Sequence, residues 1–218
     1  MLEKKQNIFL LWKEELITSA VTIACLALFF VFPASGPAQA ITAGLVFFFL
    51  VPFLYLKFIL KKSLQDYGWR LGDWKKGIVF AAISLAVSLL IFYAFYHYTQ
   101  FSKAYRLPLV VTQKFGWFLI YEFVLVGFFL ALYEFFFRGF ILFSFRAKLG
   151  RLSVAVQWLI FLAFLFIAGN LNWQNALYAV VALFSGLIVF KSHSLLYSFI
   201  FGLFFIIISD AILIKLLY

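Results

Sequence analysis

Long uninterrupted apolar runs occupy most of this 218-residue chain. A helix needs about 20 apolar residues to cross the roughly 30 Å hydrocarbon core of a bilayer, and several runs reach that length. The runs do not alternate with polar residues, as the strands of a membrane barrel would. With 67% hydrophobic and 12% charged residues, a chain of this size could not hide its apolar surface from water. The pattern predicts an all-α integral membrane protein and excludes a soluble enzyme, a disordered chain and a nucleic-acid-binding module.

About seven runs, within a range of six to eight, are predicted to be transmembrane helices. The fourth is long enough that it must tilt or project beyond the bilayer, whereas the fifth and sixth are short. The predicted spans are 16–33, 41–60, 77–99, 116–145, 152–169, 174–190 and 194–216. We interpret residues 1–218 as a single polytopic bundle. Its polar linker, residues 61–76, is expected to lie on the membrane surface as a short amphipathic piece.

The distribution of Lys and Arg predicts the orientation of the bundle. The chain has a net charge of +10, and 12 of its 18 Lys and Arg residues lie in three segments on one side of the predicted membrane, namely the N-terminal tail, residues 57–76 and residues 146–151. Short cytoplasmic loops carry such an excess. We therefore expect the N-terminus inside a bacterial or archaeal cell membrane, with the first run retained as a span. The basic loop 100–114 opposes this orientation.

Four ionisable residues fall within predicted spans, where charge is costly and therefore informative. Glu134 and Arg138 are four residues apart on one helix and can pair, either to lock the helix in place or to carry out chemistry. Glu122 lies about 18 Å from Glu134 along the helix, so we expect it near the opposite interface or protonated. Asp210 is expected near the far surface, solvated or hydrogen-bonded.

Amides form a second polar group around the turn between the fifth and sixth spans. They either hydrogen-bond between helices or line a wet cavity that faces Glu134. The group comprises Gln157, Asn170, Asn172 and Asn175.

Metal chemistry is not indicated by the sequence. The two histidines, His97 and His193, are far apart, and the single cysteine, Cys25, lies within an apolar run as a buried small side chain. We expect no metal and no cofactor.

Residues 133–140, Tyr-Glu-Phe-Phe-Phe-Arg-Gly-Phe, resemble the Glu-Glu-x-x-x-Arg-Gly signature of the CPBP family. This family comprises intramembrane proteases related to the type II CAAX prenyl endopeptidases and to the bacteriocin-immunity (Abi) proteins. Residues 186–197 resemble the family's Gly-Leu…(Arg/Lys)-Thr-Gly-Ser-Leu-Trp stretch between its last helices, and residues 62–68 resemble its basic linker. The resemblance covers residues 60–210 and implies a CPBP-like core there.

The resemblance also implies a mechanism from which this chain departs. In the family, the first Glu of the signature activates water, a His in Phe-x-x-x-His assists it, and a second His with Asn or Asp four residues later stabilises the oxyanion. Here the first Glu position is Tyr133, and the first His position falls at Ala168 or Asn170. The second His and its partner fall at Gly202 and Ile206.

These departures favour a degenerate family member that keeps the scaffold without the endopeptidase mechanism. Arg138 would hold a lone Glu134 in its charged, weakly basic form. The remaining role is binding of membrane lipids, and of a membrane protein or a lipidated peptide, with no nucleic acid. The predicted site comprises the signature remnant, Glu134 and Arg138, and four binding residues, Tyr133, Asn170, Gly202 and Asp210.

Three other functions stay open. A small transporter would place Glu122, Glu134 and Asp210 on a continuous polar path, with an inverted repeat that the sequence does not show. A structural subunit of a larger membrane complex would share the binding role. An active CAAX-type endopeptidase would need a variant site in which four polar residues converge within a few Å, namely Tyr133, Glu134, Asn170 and Asp210.

Overall fold

The computed structural model describes residues 12–33, 36–99, 101, 107–170 and 175–217, and it is helical without strands over those residues. A short helix, Leu109–Gln113, precedes the fourth long helix. The long helices are α1 (Lys13–Val31), α2 (Pro37–Ile59), α3 (Trp74–Tyr98), α4 (Phe115–Leu149), α5 (Leu152–Ile167), α6 (Ala176–Ser192) and α7 (Leu196–Leu217). The all-α prediction is confirmed, and each predicted span overlaps one of these helices, with ends that differ by up to four residues.

The outer surface of the bundle is that of a membrane protein. Helices α1, α2, α3, α4 and α7 are long and apolar enough to cross a membrane, and α5 and α6 are apolar but have 16 and 17 residues. Large apolar side chains point outward, including Val31 at 79% and Phe166 at 70% exposure. Surfaces of this kind are stable against lipid and not against water.

Helix α4 is the centre of the bundle. Its 35 residues extend for about 50 Å, well beyond the hydrocarbon core. It packs against α2, α5, α6 and α7. Residues Glu134–Leu142 are wound as a π-helix, and all nine are buried. Lipid could surround the four Phe residues of this stretch, but Glu134 and Arg138 require protein neighbours, because ionisable side chains are costly in lipid.

Aromatic rings fill the space between α4 and its neighbours. Phe136 packs on Phe48 of α2 with ring centroids 4.8 Å apart. Phe137 meets Phe161 of α5 edge-on at 5.1 Å. Edge-on and tilted ring pairs of this kind are favourable beyond the area they bury. The Phe-rich composition therefore builds the core as well as the lipid-facing surface.

Most basic residues lie at one end of the bundle, which we call the basic end. Lys62 in the linker pairs with Glu14 at the start of α1. Lys148 at the end of α4 lies 6.0 Å from the Trp12 ring centroid, and Arg146 contacts the turn between α6 and α7. Residues 57–76 and 146–151 thus share one end with Lys13 at the start of α1, as the sequence predicts, while Lys4 and Lys5 lie outside the described residues. Lys114 and Lys215 lie at the opposite end.

The linker between α2 and α3 packs more closely than a surface amphipathic piece would. The Leu195 N–H donates to the Gly68 carbonyl at 3.0 Å, and the Asp73 N–H donates to the Ser192 carbonyl at 2.8 Å. Tyr67 is buried, although we expected it among the headgroups, while Trp69 and Trp74 remain exposed as interfacial anchors. The linker therefore joins the α6–α7 turn to the rest of the basic end.

Gly72 tests this docking. It has φ +56°, and an added Cβ would overlap the Ser192 carbonyl oxygen. Gly72→Ala should therefore lower the unfolding free energy in detergent by more than the ~1–2 kcal/mol expected from the left-handed backbone alone. Gly169→Ala is the control, because Gly169 has φ +67° but open space around it. Equal losses in the two variants would show that the linker does not pack against the turn.

His193 makes the basic end sensitive to pH. The Arg146 guanidinium lies 2.9 Å from Nδ1 and 2.5 Å from Nε2 of the ring, and Arg70 donates to the His193 carbonyl at 3.2 Å. Partial burial lowers the pKa of His193, as do Arg146, Arg70 and Lys76, while Asp73 opposes them. Guanidinium groups can only donate hydrogen bonds. The His193 ring can accept one only while it is neutral, because only the neutral ring has an unprotonated nitrogen.

A His with a lowered folded pKa stabilises the native state fully above its ordinary pKa of about 6.5. That stabilisation is lost as the pH falls through the lowered value. The melting temperature in detergent should therefore drop between pH 7.5 and pH 5, and His193→Gln should remove part of the drop. His97→Gln is the control, because His97 is exposed near the end of α3. A pH profile unchanged by His193→Gln would contradict the neutral-ring interpretation.

Candidate functional site

A cavity of about 510 Å³ lies among α4, α5, α6 and α7, beside the end of α1; we call it the central cavity. It follows α4 from Tyr121 to Arg138, about 25 Å along the helix. Its walls are mainly apolar and include Phe161 and Phe164. Near the α5–α6 turn it is lined by Asn170, whose side chain is exposed. The cavity therefore reaches the surface at the end of the bundle opposite the basic end.

Glu134 and Arg138 form the ion pair that the sequence predicts. The Arg138 Nη1 and the Glu134 Oε1 are 3.7 Å apart, and both side chains are almost fully buried, at 3% and 2% exposure. The other carboxylate oxygen, Oε2, accepts a hydrogen bond from the Ser198 hydroxyl of α7 at 2.5 Å. Glu134 is therefore held between a cation on its own helix and a hydroxyl on α7.

The two members of the pair differ in their relation to the central cavity. Arg138 lines the cavity, whereas Glu134 does not. The Arg138 guanidinium carbon lies 5.5 Å from the Phe161 ring centroid, and Nη1 is 3.4 Å from the Tyr133 carbonyl. Because a general base must be within hydrogen-bond reach of the proton that it takes, Glu134 is poorly placed to act on a molecule in this cavity.

The four predicted binding residues lie in three different places. Tyr133 and Asn170 line the central cavity. Gly202 packs against Leu130, whose side chain would be 3.3 Å from an added Cβ and is itself part of the cavity wall. Asp210 lines a small adjoining pocket of about 10 Å³, which shares Tyr178 and Ile206 with the wall of the central cavity. The structure therefore places Tyr133 and Asn170 in the central cavity and Asp210 beside it.

Asp210 instead lies beside Glu122, so that two buried carboxyl groups interact between α7 and α4. Glu122 is fully buried and Asp210 is 2% exposed, although we expected Asp210 near a surface. Because like charges repel strongly in an apolar environment, this contact is costly if both groups are ionised. The two residues are far apart in sequence, and no local sequence pattern predicts their contact.

The amide residues around the α5–α6 turn also lie in different places. The Gln157 amide nitrogen donates to the Ala182 carbonyl at 3.2 Å, which ties α5 to α6. Asn175 lines the central cavity with Asn170, and Asn172 lies outside the described residues. Hydrogen bonding between helices thus occurs at Gln157, whereas Asn170 and Asn175 line a cavity that Glu134 does not border.

Two tyrosines that line the cavity, Tyr121 and Tyr178, were not predicted from the sequence. Each lies on an apolar helix among other aromatic residues, where nothing distinguishes a cavity-lining tyrosine from a core or interfacial one. Cys25 is buried, as predicted. Within the part of the chain that the structure describes, no three His, Cys, Asp or Glu residues group as metal ligands would.

No family model, no curated protein and no solved structure matches this chain.

The ion pair can be tested by removing one charge or both. Arg138→Gln leaves a buried carboxylate with only the Ser198 hydroxyl, and such a loss typically costs about 3–5 kcal/mol of unfolding free energy. Glu134→Gln/Arg138→Gln leaves no charge unpaired and should be closer to wild type. Reversible unfolding in mixed detergent measures both. A double variant no more stable than the single one would show that the pair is not coupled.

Proposed function

We propose that this chain is a CPBP/CAAX-protease-like membrane protein that binds an apolar chain in its central cavity and lacks the family's endopeptidase activity. One observation carries the proposal. Positions that the resemblance assigns to catalytic groups, on three different helices, surround this one cavity, and they hold side chains that cannot perform the catalysis.

The convergence of those positions supports the CPBP-like arrangement. Tyr133 stands at the first Glu position, and Ala168 and Asn170 stand at the alternative positions of the first His; all three line the cavity. Ile206, at the position of the oxyanion partner, lines it as well, and Gly202 is separated from it by Leu130. The resemblance rests on sequence spacing alone, so agreement with a cavity is an independent observation.

The side chains at these positions support loss of proteolysis. A phenol is protonated near neutral pH, and Asn, Ala, Ile and Gly have no group that can take a proton from water. Glu134, the acid that remains from the signature, accepts from Ser198 and pairs with Arg138. Hydrolysis of a peptide bond needs both a base and an oxyanion donor at the bound substrate.

The shape and lining of the cavity favour an apolar ligand. Its volume is in the usual range for small-molecule sites, about 300–1,000 Å³, and such sites are mostly apolar with a few placed polar groups. Lipid chains and lipidated peptides are available at this depth of a bilayer. With the basic end taken as the inner side, the N-terminus is inside and the exposed Asn170 faces outward. A scaffold role in a larger complex is compatible with this binding function.

The Glu122–Asp210 pair favours one other function, a small proton-coupled transporter, because buried carboxyls can carry protons. Among the residues that the structure describes, however, Asp210 lines a small pocket beside the central cavity, whereas neither Glu122 nor Glu134 lines either space. Glu134 points toward Ser198 and not toward Asp210. The three acidic residues therefore do not share one polar path. An active endopeptidase would need four polar residues to meet at one place, and the structure does not bring them together there, namely Tyr133, Glu134, Asn170 and Asp210.

Absence of proteolysis can be tested with the purified chain. Incubation with lipidated and transmembrane peptides should yield no cleavage above the level of Glu134→Gln, measured by mass spectrometry of the peptides. Cleavage by the wild-type chain that disappears in Glu134→Gln would overturn the loss of activity.

Binding can be tested by filling the cavity. Ala168→Trp should reduce retention of oleyl alcohol by the delipidated protein at least several-fold, measured by native mass spectrometry, because the indole would occupy the cavity. Ala163→Trp is the matched control, since Ala163 is exposed on the same helix. Equal retention by the two variants would show that the chain does not bind in the central cavity.

A further inference from the structure

Arg138 brings a positive charge into the wall of an apolar cavity. Its side chain is 3% exposed and lines the central cavity beside Phe161. An ionised side chain inside a membrane protein is stable only with a partner, and such residues commonly mark binding sites. The contacts of the guanidinium therefore indicate what it can still bind.

Other groups of the protein satisfy only part of the charge and the N–H donors of the Arg138 guanidinium. The Glu134 oxygen at 3.7 Å is beyond hydrogen-bond distance, and the Tyr133 carbonyl accepts from Nη1 at 3.4 Å. The Nε–H is buried and has no acceptor among the described residues. A guanidinium has five N–H donors to satisfy. Glu134 does little to satisfy them, because its shortest contact, at 2.5 Å, is with the Ser198 hydroxyl. Arg138 thus retains hydrogen-bonding capacity beside a space large enough for a ligand.

We propose, on the basis of the proposed function, that the ligand is a long-chain carboxylate whose head group binds Arg138 and whose chain fills the central cavity. The guanidinium fork matches a planar carboxylate in a two-bond geometry. The Phe161 ring lies within cation–π distance of the guanidinium. The apolar walls between Arg138 and Tyr121 accommodate the chain, which points toward the α5–α6 turn.

Glu134 limits the affinity of such a ligand. The ligand carboxylate and Glu134 compete for one guanidinium, and the Ser198 hydroxyl stabilises Glu134 whether or not the site is filled. Neutralising Glu134 should therefore tighten binding of a carboxylate more than binding of an uncharged chain of the same length. A role for Arg138 that is only structural does not predict this difference.

The test compares oleate with oleyl alcohol, which has the same chain and no charge, on the delipidated full chain in neutral detergent. Native mass spectrometry measures the two dissociation constants. Wild type should bind oleate about tenfold more tightly than the alcohol, as a charge-assisted hydrogen bond supplies. Glu134→Gln should increase that ratio. Glu134→Gln/Arg138→Gln should reduce the ratio to about one, and the double variant avoids a stranded buried charge.

Lys114→Gln is the control for nonspecific attraction, because Lys114 is exposed at the end of the bundle where the cavity reaches the surface. It should leave the oleate preference intact. Equal binding of acid and alcohol by wild type, or a preference that survives in the double variant, overturns the carboxylate site while chain binding stands. Retention of neither ligand, or retention insensitive to Ala168→Trp, overturns the proposed function as well.

Discussion

The buried ion pair on α4 organises this bundle. Neither Glu134 nor Arg138 can face lipid without a large cost, so the helix that carries both must be surrounded by others. Ser198 of α7 and Phe161 of α5 meet the two charges from different sides. The position of α4 at the centre, and the burial of all nine residues from Glu134 to Leu142, follow from that requirement.

The two side chains of the pair have different surroundings. Its carboxylate points toward α7 and stabilises helix packing, while its guanidinium borders the central cavity. A buried Glu–Arg pair can therefore be needed for helix packing alone. Loss of either partner would leave one buried charge unpaired, whereas a change at an uncharged cavity position such as Ala168 or Ile206 would not. The presence of Glu134 and Arg138 is thus weak support for enzymatic activity.

Much of the fold could be predicted because lipid imposes simple rules on sequence. Run length located seven helices, the spacing of four residues predicted the ion pair, and the distribution of Lys and Arg predicted a common basic end. The Glu122–Asp210 contact could not be predicted, because it joins helices that are distant in sequence. The docking of Gly68 and Asp73 onto the α6–α7 turn depends on backbone hydrogen bonds, which side-chain patterns do not specify.

The cavity itself was predictable only in outline. Apolar side chains that line a cavity and apolar side chains that fill a core obey the same pattern, so Phe161 and Phe164 carry no signal that separates these roles. The missing information is volume, which depends on how neighbouring helices pack. The sequence does carry the charge pattern, because Arg138 is the one charged residue among those that line this cavity in the described part of the chain. An apolar cavity bordered by one buried cation offers dispersion contacts along most of its length and a charged contact at one place, and this combination is what the proposed ligand must match.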